Sequence, residues 1–159
     1  MTSKTPEPPN TGRDPYAPAE IAHLVENVGV SKAKLRLLPL VVLGILAGAF
    51  IAFGAMFFTL SITGSTLGFG PTRLIGGLVF SLGLILVIIA GAELFAGNNL
   101  IVMAWADRKV TTGQLLRNWV IVYIANFVGA GATAVMVFWS GTLGLGDGGG
   151  RALFCLFCL

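Results

Sequence analysis

An apolar run interrupted in its middle constrains this chain more than any other feature. Residues 90–106 read AGAELFAGNNLIVMAWA: one apolar segment reaches Ala92, meets Glu93, Gly97, Asn98 and Asn99, and gives way to another at Leu100. Backbone N–H and C=O groups freed in hydrocarbon find no water, so a helix breaks at membrane depth only where protein or a water-filled cavity receives them. The stretch from Leu100 to Ala106 is too short to span on its own, since a hydrocarbon core of about 30 Å needs about 20 helical residues. Two ordinary short helices meeting outside the membrane are therefore the weaker reading, and one discontinuous helix lining a pathway is the stronger. The second half-helix is expected to start near Asn98 or Asn99, both good N-cap residues. Its positive dipole end and first free amides would then point into the protein, a setting that suits an anion.

Composition supports a membrane setting. Apolar residues make up 55% of the 159 and charged ones 11%, against about 25% charged in a soluble domain. Between Leu37 and Gly146 the ionisable residues are Arg73, Glu93, Asp107, Arg108, Lys109, Arg117 and Tyr123, and all but Glu93 and Tyr123 fall near expected helix ends. The net charge of +3 does not mark a nucleic-acid binder, because the basic residues sit in short clusters beside apolar runs, without an aromatic-interleaved stripe. Their expected role is topological. Cys155 and Cys158 form a lone CxxC flanked by Leu and Phe, which lacks the further ligands or the βαβ context of a metal or redox site. Neither a metal nor a cofactor is expected.

Residues 1–17 are rich in Pro, Thr and charge and are expected to be disordered; no signal peptide is read there. Residues 18–36 comprise a short amphipathic helix and a basic linker. Ile21, Leu24, Val25 and Val28 share the apolar face of that helix and Glu20, His23, Glu26 and Asn27 lie opposite, so it is read as lying on the membrane surface or under the bundle. His23, the sole histidine, is read as solvated. Three crossings follow within residues 37–141: 37–63, 73–106 broken near 93–98, and 112–140. In the first, Gly44, Gly48, Ala52 and Ala55 form a small-residue stripe suited to close helix approach. The segment 64–72, GSTLGFGPT, is read as a loop. In the third crossing, Thr112 is a plausible N-cap. Asn118 and Asn126 are read as structural amides that hydrogen-bond to neighbouring helices, and Trp119 and Trp139 as anchors at the two interfaces. Lys32, Lys34 and Arg36, with Arg108, Lys109 and Arg117, place the N-terminus and the 107–118 segment on the cytoplasmic side. Residues 142–159, ending GDGGGRALFCLFCL, depart in character from the rest and read as a frameshifted or truncated tail.

The runs EIAHLVENVGVSKAKL, LGILAGAFIAFGAMFF and LIGGLVFSLGLILVIIAGAELFAGNNLIVMAWADRKVTTGQLLRNWVIVYIANFVGA resemble the formate/nitrite transporter family over about residues 18–141. The resemblance implies an all-α membrane protein with an aquaporin-like protomer of two inverted three-helix repeats. This chain matches the N-terminal repeat with its broken second helix. It also implies assembly as a homopentamer in the bacterial inner membrane, in contact with lipid, passing a small monovalent anion: formate, nitrite or hydrosulfide. The residues resembling the family's constrictions are Phe80 on one side and Leu84, Leu94 and Phe95 on the other. The broken-helix loop comprises Glu93, Ala96, Gly97, Asn98 and Asn99. Ala96 stands where the family usually has threonine, and the family's pore histidine and a nearby lysine come from the second repeat, outside the matched segment. An apolar constriction bars a charged carboxylate and admits its neutral acid. Glu93, as a lone intramembrane carboxylate, is a functional-site candidate; the favoured reading is that it orders the loop, capping free amides near Asn98 and Asn99 or reaching the cytoplasmic vestibule, since a bare carboxylate in an anion path would repel the cargo. The alternatives are a non-conducting fragment or assembly module and, further off, a membrane enzyme. For an enzyme the chain offers no nucleophile–base pair, no ligand cluster and no phosphate loop in its proper context.

Overall fold

The computed structural model describes residues 16–141, which form six helices: α1 (Pro18–Ala33), α2 (Leu37–Ile62), α3 (Phe69–Ile89), α4 (Phe95–Asn98), α5 (Ile101–Ala106) and α6 (Thr112–Trp139). The expectations placed on residues 1–15, on the glycine-rich tail and on Cys155 and Cys158 lie outside the described residues. Among the described residues α2, α3 and α6 are long and apolar enough to cross a membrane.

The bundle is built on α2, which packs against α3 on one side and α6 on the other. The expected small-residue stripe makes this possible. Gly44, Gly48, Ala52 and Ala55 are all buried, and a Cβ on Gly48 would collide with the backbone carbonyl of Asn126 on α6. Reciprocally, a Cβ on Gly129 of α6 would strike the carbonyl of Ile45. The α2–α3 contact repeats the device with Gly54 and Gly83, where the added Cβ atoms would lie 2.8 Å from the Phe80 carbonyl and 2.7 Å from the Phe50 carbonyl. In lipid such backbone-to-backbone approach stands in for the hydrophobic drive that brings helices together in water. The outward faces carry Leu78, Leu82, Ile85 and Ile88 on α3 and Val120, Ile124 and Phe127 on α6, all exposed.

Three boundaries differ from the sequence reading, each for a local reason. GFGPT is not loop: α3 begins at Phe69, with Gly68 at its N-cap at φ 80°, and Pro71 falls in the first turn, where its missing N–H costs nothing. Helix α6 is capped by Thr111 rather than Thr112; Thr111 Oγ1 accepts from the Gln114 amide at 3.4 Å and Gln114 Oε1 accepts from the Thr111 amide at 3.1 Å, a capping box. Helix α3 ends at Ile89, where Gly91 at φ 61° lets the amides of Gly91 and Ala92 turn back onto the carbonyls of Ile88 (3.2 Å) and Val87 (2.9 Å).

Helix α1 docks through a small-residue face and keeps its apolar face outward. Its buried residues are Glu26, Gly29 and Ala33, and a Cβ on Gly29 would touch Ala104 and Ile101 of α5 at 3.4 Å. Ile21, Leu24 and Val28 are exposed. Small residues let α1 lie close on α5, and the buried Glu26 finds Lys109 across the interface. The apolar face is thereby left outward, where a membrane protein meets lipid. His23 is solvated, with its ring 3.4 Å from Glu26 Oε2 and its side chain 75% exposed.

Two outcomes follow from this packing. Gly129→Ala should destabilise the bundle by about 1–3 kcal/mol through overpacking. Gly131→Ala, two residues on and facing open space, should be neutral or stabilising by up to about 1 kcal/mol; thermal unfolding in detergent separates the two. The Lys109 ammonium holds the Glu26 carboxyl below its ordinary value of 4.5, against the opposing push of burial and with help from Asp107 and His23. Glu26 in turn raises Lys109 above 10.5. The lowered group contributes stability above pH 4.5 that is lost as pH falls through its folded value; the raised group contributes below 10.5 and loses it as pH rises through its folded value. The unfolding temperatures of the wild type and Glu26→Gln should therefore differ at neutral pH and converge on acidification below 4.5. A constant gap across that range would mean the pair does not hold α1.

Candidate functional site

The break between α3 and α5 is short and fully specified. Leaving Gly91, the chain extends through Ala92 and Glu93 to Leu94, the N-cap of α4 at φ −94° and ψ 132°. One turn of helix follows, then Asn99 and Leu100, then α5. The expected N-caps are corrected here: Asn98 is the last residue of α4 and Asn99 its C-cap, so neither opens a half-helix. The function assigned to them is met from another helix. Asn126 of α6 accepts the Phe95 amide on Oδ1 at 2.9 Å and donates from Nδ2 to the Glu93 carbonyl at 2.9 Å and to the Gly44 carbonyl at 2.8 Å. A single side chain thus joins both ends of the gap to α2. The Glu93 amide donates to the Leu43 carbonyl at 3.2 Å. With the first amide of α4 committed and the helical pieces only four and six residues long, a helix-dipole anion site at a half-helix N-terminus is not what the break provides.

A second polar cluster lies below the first. Glu93 is buried, and it does not cap the amides near Asn98 and Asn99 as expected. Its Oε2 instead accepts from Lys32 Nζ of α1 at 3.1 Å. The same ammonium donates to Asn98 Oδ1 at 3.0 Å, Asn98 Nδ2 donates to Asn118 Oδ1 at 2.9 Å, and Asn118 Nδ2 donates to the Lys32 carbonyl at 3.1 Å. The circuit closes on itself with Asn98 and Asn118 at 0% exposure. Trp119, expected as an interface anchor, is half-buried and donates its indole N–H to the Asn98 carbonyl at 3.0 Å. Among the described residues no buried side-chain polar atom lacks a partner.

The constriction candidates separate into two environments. Leu84, Leu94, Ala96 and Gly97 line an open groove of about 420 Å3, together with Lys32 and Glu93. Phe80 is turned toward the α2–α6 packing at Ala52, Ala55 and Val137. Phe95 lies edge-on to Trp119 and Tyr123, with ring centroids 6.3 and 5.4 Å away. Leu94 packs on Ala47, Val87 and Ala92, and Leu84 is 45% exposed, on the open side of the groove.

Sequence reasoning missed Lys32, which it assigned to topology, and Trp119. A signal for Lys32 was present. A carboxylate inside a membrane helix requires a partner, and few cations in this chain are close enough to an apolar run to serve.

Lys32→Met should lower stability by up to about 3 kcal/mol, because it leaves the Glu93 carboxylate buried without its cation. The double variant Lys32→Met/Glu93→Gln should recover a substantial part of that loss. If the double variant is as unstable as the sum of the two singles, the ion pair is not the source of the effect.

The family model for the formate/nitrite transporter matches residues 19–154. The formate channel FocA of Escherichia coli strain K12 is 43% identical over 129 residues, covering 80% of this chain and 45% of that protein. FocA of Haemophilus influenzae is 42% identical over 125 residues, covering 78% of this chain and 44% of that one. Among solved structures, a chain described as an FNT family ion channel superposes with a TM-score of 0.70 at 25% identity over 78% of this chain and 51% of its own. A pentameric formate channel with formate bound does so with a TM-score of 0.58 at 30% identity, over 88% and 49%. The chain therefore spans about half the length of the curated relatives it matches. With the broken second helix, the all-helical membrane bundle and the match over most of its length, this integral membrane chain belongs to the formate/nitrite transporter family.

Proposed function

We propose that this chain supplies one three-helix half of a channel-like pathway for a small monovalent anion, formate first and nitrite or hydrosulfide next. The observation that carries the reading is the groove at the break. It is lined by Leu84, Leu94, Ala96 and Gly97, and beside it a carboxylate is neutralised by the Lys32 ammonium. An apolar wall of this kind opposes a charged carboxylate and admits the neutral acid, so passage is proton-linked at the narrowest point. Phe80, packed at Ala52, Ala55 and Val137, and Phe95, edge-on to Trp119 and Tyr123, remain the aromatic members of the proposed constrictions. The chain sits in the bacterial inner membrane with α1 on the cytoplasmic side, supported by the basic residues flanking α2 and preceding α6. Its assembly is a homopentamer, by analogy with the relative described as a pentameric formate channel.

A second reading, a non-conducting assembly module, is favoured by one observation: the groove is open along the side where Leu84 is 45% exposed, so its far wall must come from elsewhere. Proteoliposomes carrying the full chain separate the two readings. Formate entry above that of protein-free vesicles supports the pathway. Five-fold crosslinking with flux no greater than in those vesicles supports the module. Within the conducting form, Glu93→Gln should keep the preference for formate over larger anions while changing the rate, and a reversed anion preference would contradict the role given to the Lys32–Glu93 pair.

A further inference from the structure

A second cavity lies away from the break, where α5 hands over to α6. It is an open depression of about 490 Å3, lined by Trp105, Ala106, Arg108, Val110, Thr111 and Thr112. The corner is a defined turn: the amides of Arg108 and Lys109 each return 2.9 Å to the carbonyls of Trp105 and Ala104, and Arg108 occupies the left-handed position at φ 58°. The direction in which the Arg108 side chain leaves the backbone is fixed by that turn.

The charges around it are accounted for, except its own. Lys109 is committed to Glu26 and lies 3.4 Å from Asp107, and Arg117 donates to the Leu35 carbonyl at 3.4 Å. Among the described residues no carboxylate pairs with Arg108. The first turn of α6 adds little, because its capping box is already closed between Thr111 and Gln114; the cationic character of the cavity is that of the guanidinium. Trp105 donates its indole N–H to Thr112 Oγ1 at 2.9 Å. That bond ties α5 to α6 and leaves the Thr112 hydroxyl hydrogen free to donate. From here an exposed apolar strip continues along the bundle: Val102 one turn back on α5, and Leu116 and Val120 four and eight residues beyond Thr112 on α6.

We infer that this corner binds an anionic phospholipid. The Arg108 guanidinium and the Thr112 hydroxyl take the phosphate, Trp105 sits at the boundary between headgroup and hydrocarbon, and one acyl chain lies along Val102, Leu116 and Val120. Charge complementarity selects the headgroup. The apolar strip on a helix long enough to cross a membrane selects a lipid over a free anion, which would leave that strip unmatched. The site is separate from the transport reading and stands or falls without it.

The test is binding of short-chain phosphatidylglycerol, short-chain phosphatidylcholine and inorganic phosphate to the full chain in neutral detergent, followed by native mass spectrometry and thermal unfolding. Arg108→Asn removes the charge while keeping a residue that tolerates a positive φ, and Arg108→Lys keeps the charge. Arg36→Gln, at the N-cap of α2, controls for general surface charge. The wild type should hold phosphatidylglycerol about fivefold more tightly than phosphatidylcholine, Arg108→Asn should erase that preference, and Arg108→Lys and Arg36→Gln should retain most of it. Equal affinity for the two lipids, a preference that survives Arg108→Asn, or stabilisation by inorganic phosphate equal to that by phosphatidylglycerol would each overturn the site.

Discussion

A helix that stops inside an apolar run leaves backbone groups that lipid cannot satisfy, and the side-chain amide of Asn126 answers that problem here. It uses both of its donors and one acceptor position on three backbone groups, at Gly44, Glu93 and Phe95. Leaving any of these buried groups unpaired costs about 1–3 kcal/mol, so the break is held open as a unit. Asn118 lies eight residues earlier on the same face of α6 and does the equivalent for the lower part of the break, through Asn98 and the Lys32 carbonyl. Helix α6 is thus the spine that carries both polar centres, with the fully buried Val122 between them.

The polar and packing features depend on one another. Asn126 reaches the Gly44 carbonyl only because α2 and α6 touch backbone to backbone, and they touch because Gly48 and Gly129 carry no Cβ. A larger residue in either position separates the helices and lengthens a hydrogen bond that lipid will not replace. Seen this way, the stripe of small residues and the amide belong to a single device, although they lie on different helices.

The main elements were legible in the sequence because their causes are local. Apolar run length gave α2, α3 and α6, and the spacing of Gly44, Gly48, Ala52 and Ala55 gave the packing face. Family membership was also legible, in the run GAELFAGN followed by NWVIVYIANFVGA. What could not be read locally was who completes each polar group. Asn98 and Asn99 look like N-caps by residue type, but the helix after the break opens at Leu94, and its first amide, that of Phe95, is met by Asn126, 31 residues on. Glu93 finds its cation 61 residues earlier. The docking of α1 could not be read locally for a related reason: apolar periodicity marks the face that leaves water without saying whether it meets lipid or the bundle, and α1 turns that face outward while docking through Glu26, Gly29 and Ala33.

The Lys32–Glu93 pair resolves a difficulty that the sequence raised about an anion pathway. A lone carboxylate at the break would repel the proposed cargo and would itself be costly to bury. With the ammonium 3.1 Å away, the groove meets a compensated pair instead of a bare negative charge. That compensation comes from α1, a helix outside the three membrane-length ones, so the docking of α1 on α5 and the electrostatics of the break are linked. Gly29 allows the approach, Glu26 and Lys109 clasp it, and Lys32, one turn beyond Gly29, is delivered to Glu93. A change that loosens α1 therefore acts on the groove without touching a residue that lines its apolar wall, since it withdraws the charge that makes Glu93 tolerable there.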